Sequence, residues 1–167
     1  MNISVEKVSN KDQYKKLLEF VKNNELYVGI PQETSSRKED NEITNAEILF
    51  IQTYGSPVNN IPPRPVIEPA IENSRERISK MMSEAVKTAI EGNYQGAIDK
   101  LKAVGMLAQN KCRAWFVDER NGWPPNAPSV YRRKLKKGST DPKPLIDTGE
   151  MRKSITYFVK TRGGRVK

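Results

Sequence analysis

The side chains able to do chemistry are few. The chain has no histidine, which removes histidine general bases, histidine-based triads and most zinc sites. Its one cysteine, Cys112, excludes an internal disulfide. Lys111 and Arg113 flank that thiol and would lower its pKa if it faced solvent. It also lies four residues after Ala108 and three before Trp115, on the apolar side of a helix, so a buried structural cysteine is expected. Asp141, Asp147 and Glu150 carry carboxylates, but their spacing matches no calcium loop, and Asp147 or Thr148 reads as a cap for a helical turn around 149–152. Gly163-Gly164-Arg165 lacks the spacing of a phosphate loop and reads as a flexible tail. No catalytic residue, metal ligand or cofactor-binding residue is expected.

Charge is the strongest chemical signal. Residues 1–110 hold 14 basic and 15 acidic side chains; residues 111–167 hold 15 basic and 5 acidic ones, so the whole excess of +9 lies in the last third. The densest run is Arg132, Arg133, Lys134, Lys136 and Lys137. Such a block is suited to a polyanion, either nucleic acid or an acidic protein surface. The simpler alternative is a hydrated basic arm. Trp123, within Asn121-Gly122-Trp123-Pro124-Pro125, sits in a loop and reads as an aromatic anchor for a neighbouring pocket.

These groups must be positioned by a modest core, since apolar residues make up 36% of the chain. Ile3–Val8 partly alternates and predicts a short strand, followed by Ser9 as an N-cap. Tyr14, Leu17, Leu18 and Val21 mark the apolar face of a helix over 11–23. Residues 26–30 read as a strand stopped by Pro31. Residues 32–43 are too polar to order themselves and are expected to form a mobile loop. Thr44 and Glu47 form a capping box opening a short helix that Gly55 closes. The proline-rich stretch 56–65 predicts a stiff extended connector.

A long amphipathic helix is expected over 67–91. Gly92 ends it and Asn93 caps a second helix whose stripe runs from Tyr94 to Phe116. The short turn makes the pair an antiparallel hairpin. Residues 120–146 contain five prolines and no periodicity, which predicts a second mobile loop. Residues 154–159 are β-branched and aromatic and predict the last strand; 160–167 is a basic tail. The whole reads as one α+β domain over 1–167: a long helical hairpin packed on a small, mainly antiparallel sheet, with extended loops. No apolar run approaches the ~18 residues of a membrane span, so no membrane partner is expected.

Four segments, taken in order, resemble the tail-completion or neck proteins of tailed bacteriophages. They are Val28-Gly29-Ile30-Pro31 with a later helix ending in Tyr54-Gly55; Ile61-Pro62-Pro63-Arg64-Pro65; Trp123-Pro124-Pro125-Asn126; and Lys143-Pro144-Leu145-Ile146-Asp147-Thr148-Gly149-Glu150-Met151 followed by Ser154-Ile155. The resemblance covers residues 25–160. It implies a non-enzymatic virion subunit, assembled in the bacterial host, that forms a ring of copies between the head–tail connector and the tail-tube or tail-terminator proteins, with DNA passing through the lumen. Pro62, Pro63, Arg64, Pro65, Trp123, Leu145, Asp147 and Gly149 are then the expected interface residues. The competing expectation is a nucleic-acid-binding module acting through the basic last third.

Overall fold

The computed structural model describes residues 10–34 and 43–167. The strand expected at 3–8, its Ser9 cap and most of the polar stretch after Thr34 lie outside the described residues. In chain order the helices are α1 (Asn10–Asn23), α2 (Asn45–Tyr54), α3 (Ile67–Glu72), α4 (Arg75–Ile90), α5 (Tyr94–Trp115), α6 (Pro128–Lys136) and α7 (Glu150–Ser154). The strands are β1 (Glu25–Gly29), β2 (Thr156–Thr161) and β3 (Gly164–Val166). This is an α+β fold, with α4 and α5 packed on a small antiparallel sheet. Among the described residues, no helix is long and apolar enough to cross a membrane.

The chain divides into two compact units. The first takes the described residues to Tyr27, Glu76–Gly105 and Phe158–Lys167. Its core is Ala85, Leu101 and Val159, with Phe20, Leu26, Met82 and Val166 against them. The α4–α5 turn forms as its residues dictate: the Asn93 side chain accepts the Gly96 N–H at 2.9 Å. A Cβ on Gly96 would lie 2.6 Å from that side chain, so a larger residue there would have to push the Asn93 cap aside. From this cap the buried stripe Ala97, Leu101, Val104, Ala108, Cys112 and Trp115 runs the length of α5, at the helical spacing expected of it.

The sheet order is β1-β2-β3, and β2 and β3 are antiparallel with Val159 opposite Val166 and Lys160 opposite Arg165. In β2, Tyr157 and Val159 point to the buried side, the period of two that a half-buried strand requires. On the other side Phe158 stacks on Tyr27 with ring centroids 5.0 Å apart, and the Arg165 guanidinium lies 4.5 Å over the Phe158 ring.

Three expectations are corrected. The α1 stripe only partly faces inward: Leu17 is half-buried but Tyr14, Leu18 and Val21 are exposed, while Phe20 packs inward with its ring 5.6 Å from Tyr94. Phe20 lies off the predicted stripe and packs against the core with Leu26 and Met82. The tail is not free, because Gly164–Val166 folds back as β3. The helix expected over 67–91 is two helices. At Asn73-Ser74 the ladder tightens, with the Ser74 N–H donating to Ile71 O at 3.0 Å, an i−3 rather than an i−4 bond.

The second unit comprises Val28–Arg75 and Met106–Tyr157. Its core joins Leu49 of α2, Val66 and Ala70, Cys112, Trp115 and Phe116, and Met151 and Ile155. Residues 120–146, expected as one long loop, include α6. Pro128 starts this helix at its first position, where the missing N–H costs nothing.

Candidate functional site

The site lies in the second unit and follows from a shortage of hydrogen-bond donors. Proline has a carbonyl but no N–H. Segments 61–65, 123–128 and 142–146 are dense in proline, so when they come together their carbonyls outnumber their own amides. Carbonyls in such segments need donors from elsewhere, and here side chains supply them. Arg64 donates from Nε to Pro124 O at 3.1 Å, and from Nη2 to Pro124 O at 3.1 Å and Pro125 O at 3.0 Å. Trp123 Nε1 donates to Pro65 O at 3.0 Å. Asn126 Nδ2 donates to Pro142 O at 2.7 Å. Lys134 Nζ donates to Lys143 O at 2.7 Å and to Ile146 O at 2.5 Å. Arg64 is 7% exposed and Lys134 5%. Burial pulls both below their ordinary pKa values; for Lys134 the Asp147 charge opposes that shift.

Helix α2 and the α7 turn complete the frame. Thr44 Oγ1 accepts the Glu47 N–H at 3.2 Å and Glu47 Oε2 accepts the Thr44 N–H at 2.8 Å, the expected capping box. These bonds hold the Glu47 carboxyl below its usual range. Buried Asn45 donates to Ser154 Oγ at 3.1 Å and so ties α2 to α7. Gly55 ends α2 at φ +75°, and a Cβ there would sit 2.7 Å from Ile61 O and 3.0 Å from Pro63 N. Only glycine lets the connector pass this close. The Arg64 N–H then donates to Gln52 O at 2.5 Å, fixing the connector along α2. On the far side, Arg113 Nε donates to Ile155 O at 3.0 Å while Arg152 Nε donates to Arg113 O at 2.8 Å, locking α7 to α5.

Between these elements lies an open groove of about 750 Å³. Its charged lining groups are Arg64, Arg133, Lys134, Asp147 and Glu150. Ile48, Ile61, Val130 and Leu145 supply apolar wall, and Gln52, Asn59 and Asn60 supply amides. The Gln52 Oε1 atom is buried and has no hydrogen-bond partner. Leu145 adopts φ +59°, an unusual conformation for a branched side chain, where the chain turns into the groove wall.

The structure relocates several residues expected at an interface. Arg64 and Trp123 point inward: Arg64 is the internal clasp described above, and Trp123 packs edge-on against Phe116 with centroids 5.9 Å apart. Neither is presented as an anchor for a neighbour. Lys134 leaves the basic run and is buried, whereas Arg132, Arg133, Lys136 and Lys137 are exposed on or beside α6. Asp147 is not a cap; it sits 3.7 Å from Lys137 Nζ, and the Glu150 N–H bonds Thr148 Oγ1 at 3.3 Å instead. Pro62, Leu145, Asp147 and Gly149 do line the groove, and Pro63 and Pro65 flank Arg64 behind it. Cys112 is buried, as expected, and its thiol is pushed up to about 12 by desolvation.

Sequence reasoning missed Gln52, Asn126, Val130 and the whole of α6. The signal for α6 was present in Pro128 at a first helical position with Val130 and Lys134 four apart. It was hidden because the inward position at 134 is a lysine. Matched against protein-family models the chain finds none, and neither curated proteins nor solved structures give a significant match.

Proposed function

We propose that this chain is a structural, non-enzymatic subunit of the bacteriophage neck, assembling as a ring of copies between the head–tail connector and the tail within the virion. The observation that carries the reading is the contrast between the interior and the surface of the second unit. Inside, two of the four segments that resemble neck proteins, 61–65 and 123–126, are tied together by side-chain bonds to proline carbonyls, and Lys134 holds the fourth through the Lys143 and Ile146 carbonyls. Outside, α2 exposes Phe50 and Tyr54, 65% and 70% accessible, with rings 4.9 Å apart, and the loop beyond it exposes Val58. A braced body with uncovered aromatic groups is suited to burial against a neighbour. Replacing Phe50 and Tyr54 together with serine is expected to abolish oligomer formation, measured by sedimentation, with little change in thermal stability. Imaging of virions carrying a tagged chain is expected to place the tag at the head–tail junction. Virions without the tag there overturn the reading.

A second reading, duplex binding, is favoured by one observation: Arg132, Arg133, Lys136 and Lys137 are exposed, and no acidic residue lies between Glu119 and Asp141. It requires binding that weakens steeply with salt, and the absence of a signal at about 50 mM salt, where phosphate contacts are strongest, removes it.

A further inference from the structure

We propose that the groove of the second unit binds an acidic, extended peptide segment of a partner protein, with a carboxylate of that peptide held between Arg133 and Lys134 in front of Arg64. The argument begins with charge. Two of the three cations lining the groove are buried, and both Arg64 and Arg133 are near enough for their charges to act on Lys134. Like charges gathered out of water destabilise one another unless an anion joins them. Two anions line the groove, Asp147 and Glu150, against three cations, and Asp147 is half-exposed and lies 3.7 Å from Lys137, so its charge is shared with a surface lysine.

Donors remain available. An ammonium has three N–H groups, and Lys134 uses two of them. Arg64 spends Nε and Nη2 on Pro124 and Pro125, and its Nη1 has no partner among the described residues. Arg133 has none either. A carboxylate matches such a set of convergent donors.

The remainder of the groove selects a peptide over a nucleic-acid backbone. At about 750 Å³ it is far larger than one anionic group. Its walls carry apolar side chains beside the amides of Gln52, Asn59 and Asn60. Those apolar walls suit the side chains of a peptide, whereas a phosphodiester backbone carries a charge at every repeat.

This inference deepens the assembly reading by naming the partner's chemistry, yet it requires neither ring nor virion, so a binding measurement on the isolated chain tests it separately from imaging. The probe is a fluorescein-labelled peptide of alternating Glu and Leu, about eight residues and roughly 27 Å when extended, followed by fluorescence anisotropy. The Glu peptide is expected to bind saturably, and its Gln/Leu twin at least ~10-fold more weakly. Arg133→Gln, at an exposed position that leaves the clasp intact, is expected to weaken binding about 10-fold, and Arg132→Gln, which does not line the groove, less than about 2-fold. Equal binding of the two peptides, equal effects of the two substitutions, or no binding at about 1 mM peptide would each overturn the proposal. So would a DNA duplex binding through Arg133 while the peptide does not.

Discussion

Replacing Arg64 with lysine keeps a cation in place and removes only the planar fork. The guanidinium makes three bonds to two carbonyls, Pro124 O and Pro125 O. Hydrogen bonds from a charged donor contribute about 1.5–3 kcal/mol each. Two of the three bonds share one acceptor, so they do not add fully. An ammonium on a shorter reach recovers one carbonyl at best, and the expected loss is therefore about 2–4 kcal/mol. For a chain of this length each kcal/mol lowers Tm by about 2–4 °C, so the midpoint should fall by roughly 5–15 °C. Arg64→Met is the decisive companion. It removes the cost of a buried charge but leaves both carbonyls without a donor, and is expected to destabilise at least as much. Urea and thermal unfolding measure both variants, and a red shift of tryptophan emission should report loosening around Trp123. If Arg64→Lys and Arg64→Met each fall within about 0.5 kcal/mol of the parent, the usual scatter of neutral surface changes, the donor-shortage argument is wrong.

Asp118 gives a pH test. Arg120 donates to its carboxylate from Nη2 at 2.6 Å and Nε at 2.8 Å, and from its backbone at 3.0 Å, and these bonds hold Asp118 down to about 2 from its ordinary 3.8. Between those values the unfolded chain binds the proton and the folded chain does not, so the contribution is complete above the ordinary value and is lost as pH falls through about 2. The stability difference between the parent and Asp118→Asn should therefore shrink on acidification across this window; a difference that stays constant contradicts the assignment. Cys112, with its thiol pushed up to about 12 and its side chain buried, should resist a thiol-specific reagent at neutral pH and label fully in denaturant. Native labelling at the rate of a free thiol would contradict that.

What could be read from sequence depended on whether the local pattern and the tertiary contact agreed. The Thr44–Glu47 box, the Gly92-Asn93 turn and the α5 stripe are each complete within a few residues, and each formed as expected. α1 shows the limit: spacing identifies an apolar stripe, but the core took Phe20 instead. The break at Asn73-Ser74 was invisible because neither residue forbids a helix. The connector was expected as extended chain, although Pro57–Asn59 forms a 3-10 turn, and 120–146 as a mobile loop; the pairing of the two proline-rich stretches was not legible. It depends on Arg64 meeting carbonyls sixty residues away, which no local periodicity encodes.

The same side chains misled the site assignment for one physical reason. Arg, Lys and Trp in a polar, proline-rich stretch suggest outward contact because nothing nearby in sequence can satisfy them. That reasoning counts only the needs of the side chains and neglects those of the backbone. A stretch such as Trp-Pro-Pro has an excess of acceptors, and wherever it is buried a long donor-bearing side chain is the cheapest remedy. Arg64, Trp123, Asn126 and Lys134 all serve that need. Once they are turned inward, the surface chemistry passes to the residues between them: Arg132, Arg133, Lys136 and Lys137 on the basic side, and Phe50 and Tyr54 on α2. The donor shortage therefore fixes the interior and also determines which charges remain to meet a partner. Arg133 stands at that boundary, exposed itself and lining the groove beside the buried Lys134.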